Sequence, residues 1–300
     1  MPAYNAARTL EQTFNDIPAG SVDEVLLVDD ASHDETIAVA KGLGIRTFAH
    51  QSNRGYGGNQ KTCYTEALKL DPDIVVMLHP DYQYDPTRIP DIVAPIRAGD
   101  ADLVLGSRLA DGQALSGGMP IYKYLSNRFL TTCENLILGQ HLSEMHTGYR
   151  AYSRRLLETI PFTKNSEGFV FDTEVIVQTV AFGFSIAEIS VPAKYMPEAS
   201  SIRLTASTVY GLKTLWTLVR YILHKAGLRK DPLFIARDAT DATNSGNRTS
   251  HVPRSRLREA RRRPRALRLT GGRGQGVGRG GRRPVTKGRG ALRQARDRRG

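Results

Sequence analysis

Residues 77–86 read MLHPDYQYDP, and the apolar run from Ile74 to Leu78 ends in His79, Asp81, Gln83 and Asp85. A buried strand that empties into polar side chains is where open α/β sheets hold their ligands. Asp81 and Gln83 offer hard oxygen donors of the kind that suit Mg2+ or Mn2+. The imidazole of His79 accommodates Mn2+ more readily than Mg2+, or it hydrogen-bonds a ligand instead. The plainer alternative for Asp81 is a loop acid that caps its own turn.

Those side chains need elements to position them. VDEVLLVDDASHDET predicts a strand from Val22 to Val28, two acids (Asp29 and Asp30) at its end, and a helix from Glu35 to Gly42 capped by Asp34. A short strand, IRTFAH, is followed by a glycine-rich stretch, NRGYGGNQ, and a helix from Asn59 to Leu70. After the Ile74–Leu78 strand, RIPDIVAPIRAG predicts a helix broken by proline, and Leu103–Gly106 a further strand. Residues 109–119 read as a loop, YKYLSNRFLTTCENLILG as a helix, and SEMHTGYRAYS as a polar loop. Two helices, RRLLETI and FDTEVIVQTVAFGF, lead to a strand, SIAEISVP. Short all-apolar strands alternating with helices predict an α/β fold with a mostly parallel central sheet flanked by helices. At the start, MPAYNAARTLEQTF enters a helix with Asn5 as its cap, and the strand expected before that turn is missing. TVYGLKTLWTLVRYILHKAG is an amphipathic helix with Leu212, Leu215, Trp216, Val219, Ile222 and Leu223 on one side. Packing against the domain core is the commoner fate of such a face, and lying on a membrane surface is the alternative.

The net charge of +12 is unevenly spread. Residues 236–300 hold 20 Lys and Arg against 4 Asp and Glu, while the preceding 235 residues hold 22 against 26. The basic stretch is Arg, Gly and Pro with few apolar residues, too few to offset chain entropy, so a disordered tail over 235–300 is expected behind a folded domain over 1–234. Such a tail binds nucleic acid through phosphates without specificity, but it lacks aromatic residues to stack on bases. Cys63 and Cys133 have no paired-cysteine spacing and fit a reducing compartment. No apolar signal region opens the chain and no run of about 18 apolar residues occurs, so a cytoplasmic location is expected.

Six motifs occur in one order: PAYN at 2–5, VDDASHDET at 28–36, NRGYGGNQ at 53–60, HPDYQYDP at 79–86, GSR at 106–108 and HTGYRAYSR at 146–154. Together they resemble the family 2 glycosyltransferases of GT-A fold, nearest in flavour to polyprenyl-phosphate sugar transferases. The resemblance covers Pro2 to about Leu233. It implies a nucleotide-sugar donor, UDP- or GDP-linked, and a Mg2+ or Mn2+ ion on its diphosphate. The acceptor implied is a lipid phosphate or saccharide, reached from the cytoplasm or at the inner face of the membrane, and the reaction is a single inverting displacement. The family usually carries Asp-x-Asp where this chain has His79-Pro80-Asp81, so His79 replaces the first acid.

On this resemblance Asp29 and Asp30 hold the base or ribose, with Pro2, Tyr4 and Asn5 forming the nucleoside turn. Asn53 and Gly55 let the backbone pass close to the donor, and Lys61 reaches phosphate or stays a solvated helix lysine. NRGYGGNQK is not a dinucleotide fingerprint, because it does not follow the first strand and no acid sits at the right distance. Arg108 and Arg150 are guanidinium forks for phosphate, and Arg150 matches the family's arginine there. Glu144 takes a proton if the acceptor is a hydroxyl and only positions groups if the acceptor is already anionic. His146 is the rival base, and Asp172 a further acid on the acceptor side. Lys194, Ser201 and Arg203 match a phosphate-contacting segment. The alternatives are a catalytically impaired relative of the same fold, for which the missing first strand and His79 speak, and nucleic-acid binding by the tail.

Overall fold

A computed structural model describes residues 1–112, 114–115, 118–192 and 204–236. The basic stretch after 236 and the candidates Lys194, Ser201 and Arg203 lie outside the described residues.

Three strands form a parallel sheet: β1 (Pro2–Ala3), β2 (Leu26–Asp29) and β3 (Arg46–Ala49), in that order. β1 is the strand that the sequence reading has as missing. It is only two residues long, pairs Pro2 with Val28 and Ala3 with Asp29, and is too short for apolar patterning to reveal it. A second sheet runs β4 (Ile74–Met77), β6 (Arg150–Ser153), β5 (Leu103–Ser107) and β7 (Ile186–Ser190). β5 and β7 are parallel, while β6 lies antiparallel to both β4 and β5. The sheet is thus mixed, and the expected polar loop over 143–153 contains a central strand. Its opening residue, Arg150, is fully buried and masks the strand from any apolar reading.

Helices α1 (Leu10–Asn15), α2 (Thr36–Gly42), α3 (Gly55–Leu68), α4 (Ile89–Ala98), α5 (Ile121–Leu138), α6 (Arg154–Thr159), α7 (Phe171–Ala181) and α8 (Leu204–Lys225) cover the sheets. α4 runs through Pro95 and ends at Gly99 with φ 82°, so the expected proline break is absent. One core cluster packs Val28, Tyr64, Leu105, Tyr152 and Phe171 with Leu218 of α8. A second joins Leu10, Leu27, Ile92, Val104 and Tyr149.

α3 starts at Gly55, four residues before the position expected, because the glycines form its first turn. A Cβ on Gly57 would meet the Ser166 carbonyl and one on Gly58 the Glu167 carboxylate. These two glycines therefore serve close packing on the 165–168 loop, with Gly57 N–H donating to Glu167 O at 2.7 Å. Asn5 is not a helix cap. It sits at φ 52°, donates its N–H to Ser32 Oγ (2.8 Å), and its Oδ1 accepts from His33 N–H (2.8 Å). Asp34 accepts from Ala7 N–H (3.0 Å) and Thr36 N–H (3.1 Å), so the PAYN turn and the acidic loop are zipped together.

The apolar side of α8 packs as core only in part, with Leu215 against the first cluster. Leu212, Trp216, Val219 and Ile222 are exposed, and the helix turns Thr214, Thr217, Leu218 and Tyr221 inward instead.

Candidate active site

A cleft of about 1090 Å³ opens at the carboxyl ends of β1, β2 and β4 and extends along α5 and α8. Pro2, Tyr4, Asn5, Asp30, Asn53, Gly55, His79, Asp81, Gln83, Arg108 and His146 line it, so most of the sequence candidates converge. Asp29, Lys61, Glu144 and Arg150 do not line it.

Asp30 holds the loop that follows β3. Its Oδ1 accepts from His50 Nδ1 (2.7 Å) and Arg54 N–H (2.8 Å), and its Oδ2 from Gly55 N–H (3.0 Å). Asn53 Oδ1 accepts from the same Gly55 N–H at 3.0 Å. Tyr4 is exposed to the cleft beside His33, with ring centroids 6.4 Å apart. Asp29 is buried, and its Oδ2 accepts from Ser32 N–H (2.9 Å). It shapes the turn from beneath.

In the 79–86 loop, Asp81 Oδ1 accepts from Gln83 N–H at 3.1 Å, the self-capping turn. Its Oδ2 carries no hydrogen bond from the described residues, and Asp81 lines the cleft. His79 stacks on Tyr56 with centroids 5.5 Å apart and planes 6° from parallel. A Cβ on Gly148 would lie 2.9 Å from His79 Nε2, so the imidazole rests on bare backbone. Burial pushes the His79 pKa down, against the pull of Asp81 and Asp172, and leaves a neutral imidazole with a lone pair. Tyr56 O–H in turn donates to Asp172 Oδ2 at 2.7 Å. Burial and the Asp172 charge hold that phenol well above its ordinary pKa, so it stays a donor.

Among the described residues no group of three or more His, Cys, Asp or Glu could hold a metal alone. Mg2+ and Mn2+ commonly take only one or two protein ligands plus substrate phosphates. Asp81 Oδ2 and the neutral His79 fit that kind of site, with Gln83 beside them.

The buried polar candidates turn out to be scaffold. Arg150 donates from Nε to Thr147 O (2.7 Å), from Nη1 to Asp172 O (2.9 Å) and from Nη2 to Met145 O (3.2 Å). It is therefore not a phosphate fork; it fixes the 145–147 loop to α7. Burial works against its charge, and Asp172 with the nearby tyrosines more than restores it. Lys61 does not reach a ligand either. Its Nζ bonds Asn165 O and Glu167 Oε1 (2.6 Å for the latter), tying α3 to the 165–168 loop. Glu144, fully buried, accepts from Arg108 N–H (2.7 Å), Arg108 Nε (2.9 Å) and Asn127 Nδ2 (2.7 Å). So engaged, its carboxylate is held by three donor groups and lies behind the cleft lining. His146 Nδ1 meets Tyr210 O–H at 2.6 Å. Its Nε2 stands 3.0 Å from Glu134 Oε2, an ion-pair distance without the alignment of a hydrogen bond.

Sequence reasoning missed Lys123, Tyr56, Asn127, Glu134 and Tyr210. Lys123 lines the cleft, and no described residue gives it an ion-pair partner. Partial burial, then the Arg108 charge, lowers its pKa. The two cations are thus neighbours. Nothing in a lone lysine on a helical stretch could have signalled this.

The topology and cleft define a GT-A glycosyltransferase. Residues 1–160 match the family model described as glycosyl transferase family 2, and the chain belongs to that family. It is 25% identical over 236 residues to the UDP-N-acetylglucosamine--dolichyl-phosphate N-acetylglucosaminyltransferase of Methanococcus voltae, covering 73% of this chain and 93% of that one. Polyprenol monophosphomannose synthase of Mycolicibacterium smegmatis is 26% identical over 199 residues, 64% of this chain and 74% of its own. Among solved structures, Mycobacterium tuberculosis glucosyl-3-phosphoglycerate synthase superposes with a TM-score of 0.57 at 22% identity, over 74% of this chain and 78% of that one. The protein is a glycosyltransferase related to polyprenyl-phosphate sugar transferases.

Proposed function

We propose that this enzyme is metal-dependent and inverting, and that its acceptor is a lipid phosphate. The observation that carries the acceptor is the state of the cleft's charged groups. Glu144 is bound by Arg108 and Asn127, Asp172 accepts from Tyr56 and Gln60, and His146 is held between the Tyr210 hydroxyl and Glu134, so neither these acids nor His146 stands free as a base. A hydroxyl acceptor needs one; a phosphate monoester arrives as an anion. Lys123 and Arg108 supply the positive charge that a phosphate seeks.

Tyr4, Asp30 and Asn53 hold the nucleoside of a UDP- or GDP-linked sugar, with backbone at Gly55 close by. The acceptor phosphate oxygen attacks the anomeric carbon as the bond to the diphosphate breaks, and the diphosphate departs with the electron pair, inverting the centre. Asp81 and His79, with Gln83 in support, would hold Mg2+ or Mn2+, which when bound neutralises the diphosphate as a Lewis acid. Tyr56 and Gly148 keep His79 oriented, and Arg150 keeps the 145–147 backbone in place. The cytoplasmic face of a membrane is where such a lipid phosphate would be met. We place the catalytic domain at 1–234, because the turn at Pro232–Phe234 closes it: Leu233 O accepts from Gln178 Nε2 at 3.0 Å.

The test incubates the enzyme with UDP- and GDP-sugars, Mn2+, and either a short polyprenyl phosphate or the matching polyprenol. Transfer to the phosphate with inverted anomeric configuration by NMR is expected. Transfer to the alcohol alone, or with retention, would overturn the reading.

A further inference from the structure

β2 and β3 stay in register to their ends, pairing Val28 with Phe48 and Asp29 with Ala49, and His50 N–H donates to Asp29 O at 2.9 Å. The next residues along the two chains, Asp30 and His50, are thereby set side by side at the carboxyl end of β2, where Asp30 lines the cleft. How much of Asp30 is left for a ligand is decided by its hydrogen bonds.

A carboxylate offers about four acceptor positions, two on each oxygen. Oδ1 accepts from His50 Nδ1 (2.7 Å) and Arg54 N–H (2.8 Å), which fills both of its positions. Oδ2 accepts from Gly55 N–H alone (3.0 Å), which leaves one. The Asp30 side chain is only 4% exposed, so its opening to the cleft is narrow.

His50 is what closes Oδ1 from the side-chain direction. A carboxylate oxygen only accepts, so Nδ1 carries a proton. On the other side of the ring Nε2 meets Thr62 Oγ1 at 2.9 Å, and that hydroxyl lies 3.3 Å from Gly58 O, one turn back in α3. The hydroxyl donates to Nε2 when the ring is neutral. When the ring is protonated it accepts from Nε2 and donates to Gly58 O. The imidazole is therefore held from both sides in either state, and it is itself 10% exposed.

Asn53 completes the pattern. Its Oδ1 shares the Gly55 N–H with Asp30 Oδ2, so the two side chains adjoin. Its Nδ2 carries no hydrogen bond from the described residues, and Asn53 lines the cleft. One open acceptor position thus stands next to an amide donor. The pairing edge of uracil carries a single donor, N3–H, between two carbonyl oxygens. The pairing edge of guanine carries two adjacent donors, N1–H and the 2-amino group, which a carboxylate answers with both oxygens. With Oδ1 closed, guanine leaves one donor unmatched, at a cost of roughly tenfold or more in affinity.

We propose that the enzyme takes a uridine rather than a guanosine donor, with Asp30 Oδ2 reading N3–H and Asn53 Nδ2 meeting a carbonyl, and that His50 is the positioning residue that excludes guanine by keeping Oδ1 closed. This rests on the reading that Asp30 and Asn53 hold the nucleoside, and it adds the choice of base and the residue that sets it.

The test measures binding of UDP and of GDP to the full chain by calorimetry with Mn2+ present. The parent should bind UDP about tenfold or more tightly than GDP, and methylation of UDP at N3 should remove most of that advantage. His50→Leu opens Oδ1 and should bring the two nucleotides to within about threefold of each other. His50→Asn, whose amide nitrogen takes the place of Nδ1, should keep the parent's ratio. A variant that merely loosens the fold weakens both nucleotides together, so the ratio separates positioning from stability, and the N3-methyl comparison uses the parent alone. Three outcomes overturn the inference while the nucleoside placement stands: GDP bound as tightly as UDP by the parent, indifference to N3-methylation, or an unchanged ratio in His50→Leu. Binding of both nucleotides untouched by Asp30→Asn combined with Asn53→Ala would overturn the nucleoside placement itself.

Discussion

Arg108 and Glu144 close on each other through three donors, the Arg108 backbone N–H (2.7 Å), its Nε (2.9 Å) and its Nη2. The arginine side chain is mostly buried and the glutamate wholly so. Each is thereby fixed in place, the carboxylate behind the cleft lining and the guanidinium at the cleft beside Lys123.

Glu144→Gln should therefore act on stability and on acceptor binding. Removing one partner of a buried pair costs on the order of 3 kcal/mol, read as a lower midpoint in urea. The KM for a phosphate-bearing acceptor should rise, while the shape of the kcat–pH profile should stay as in the parent. Loss of an acid limb from that profile would make Glu144 the base after all.

Asp81→Ala should remove metal stimulation and lower turnover by about 10²-fold or more, since a Lewis acid contributes several kcal/mol. Activity titrated with Mn2+ and Mg2+ checks this. His79→Asp restores the family's acid and should raise the activity seen with Mg2+ relative to Mn2+.

Gly148→Ala offers a subtler probe of the same site. The new Cβ would press on His79 Nε2 at 2.9 Å and approach Tyr56 O–H at 3.3 Å. The Mn2+ requirement should shift while the melting temperature moves little. Wild-type metal response would show that the position of His79 does not matter.

Asp231 anchors the end of α8, accepting from Arg220 Nε and Nη2 at 2.7 Å each and from Leu233 N–H at 3.1 Å. Burial raises its pKa, but the Arg220 bond and the Leu233 N–H outweigh that and hold it below the usual aspartate value. A depressed carboxyl stabilises the fold above its unfolded pKa of about 3.9 and loses that contribution as pH falls through the folded value. Asp231→Asn should then be clearly less stable than the parent at pH 7, with the gap narrowing below about pH 4. Urea unfolding at several pH values measures it, and a gap independent of pH would remove the charge argument.

The family, the order of the motifs and the convergence of Tyr4, Asp30, Asn53 and Asp81 on one cleft were legible in the chain. These features are local: apolar strands ending in acids, glycines at a turn, and a fixed spacing within a loop report themselves without knowledge of the fold. β1 and β6 were not legible, one being two residues long and the other opening on a buried arginine.

What only the tertiary structure decided was the work of the buried charges and the side of each helix that faces out. A lysine, a glutamate and an arginine in motif positions look like ligand groups until their distances to Asn165, Asn127 and Thr147 show them already satisfied. Likewise, periodicity finds the apolar stripe of α8 but not its direction. A polar network around the cleft outcompeted it for the interior, because buried donors and acceptors must pair, and that sent Leu212 and Trp216 to the surface.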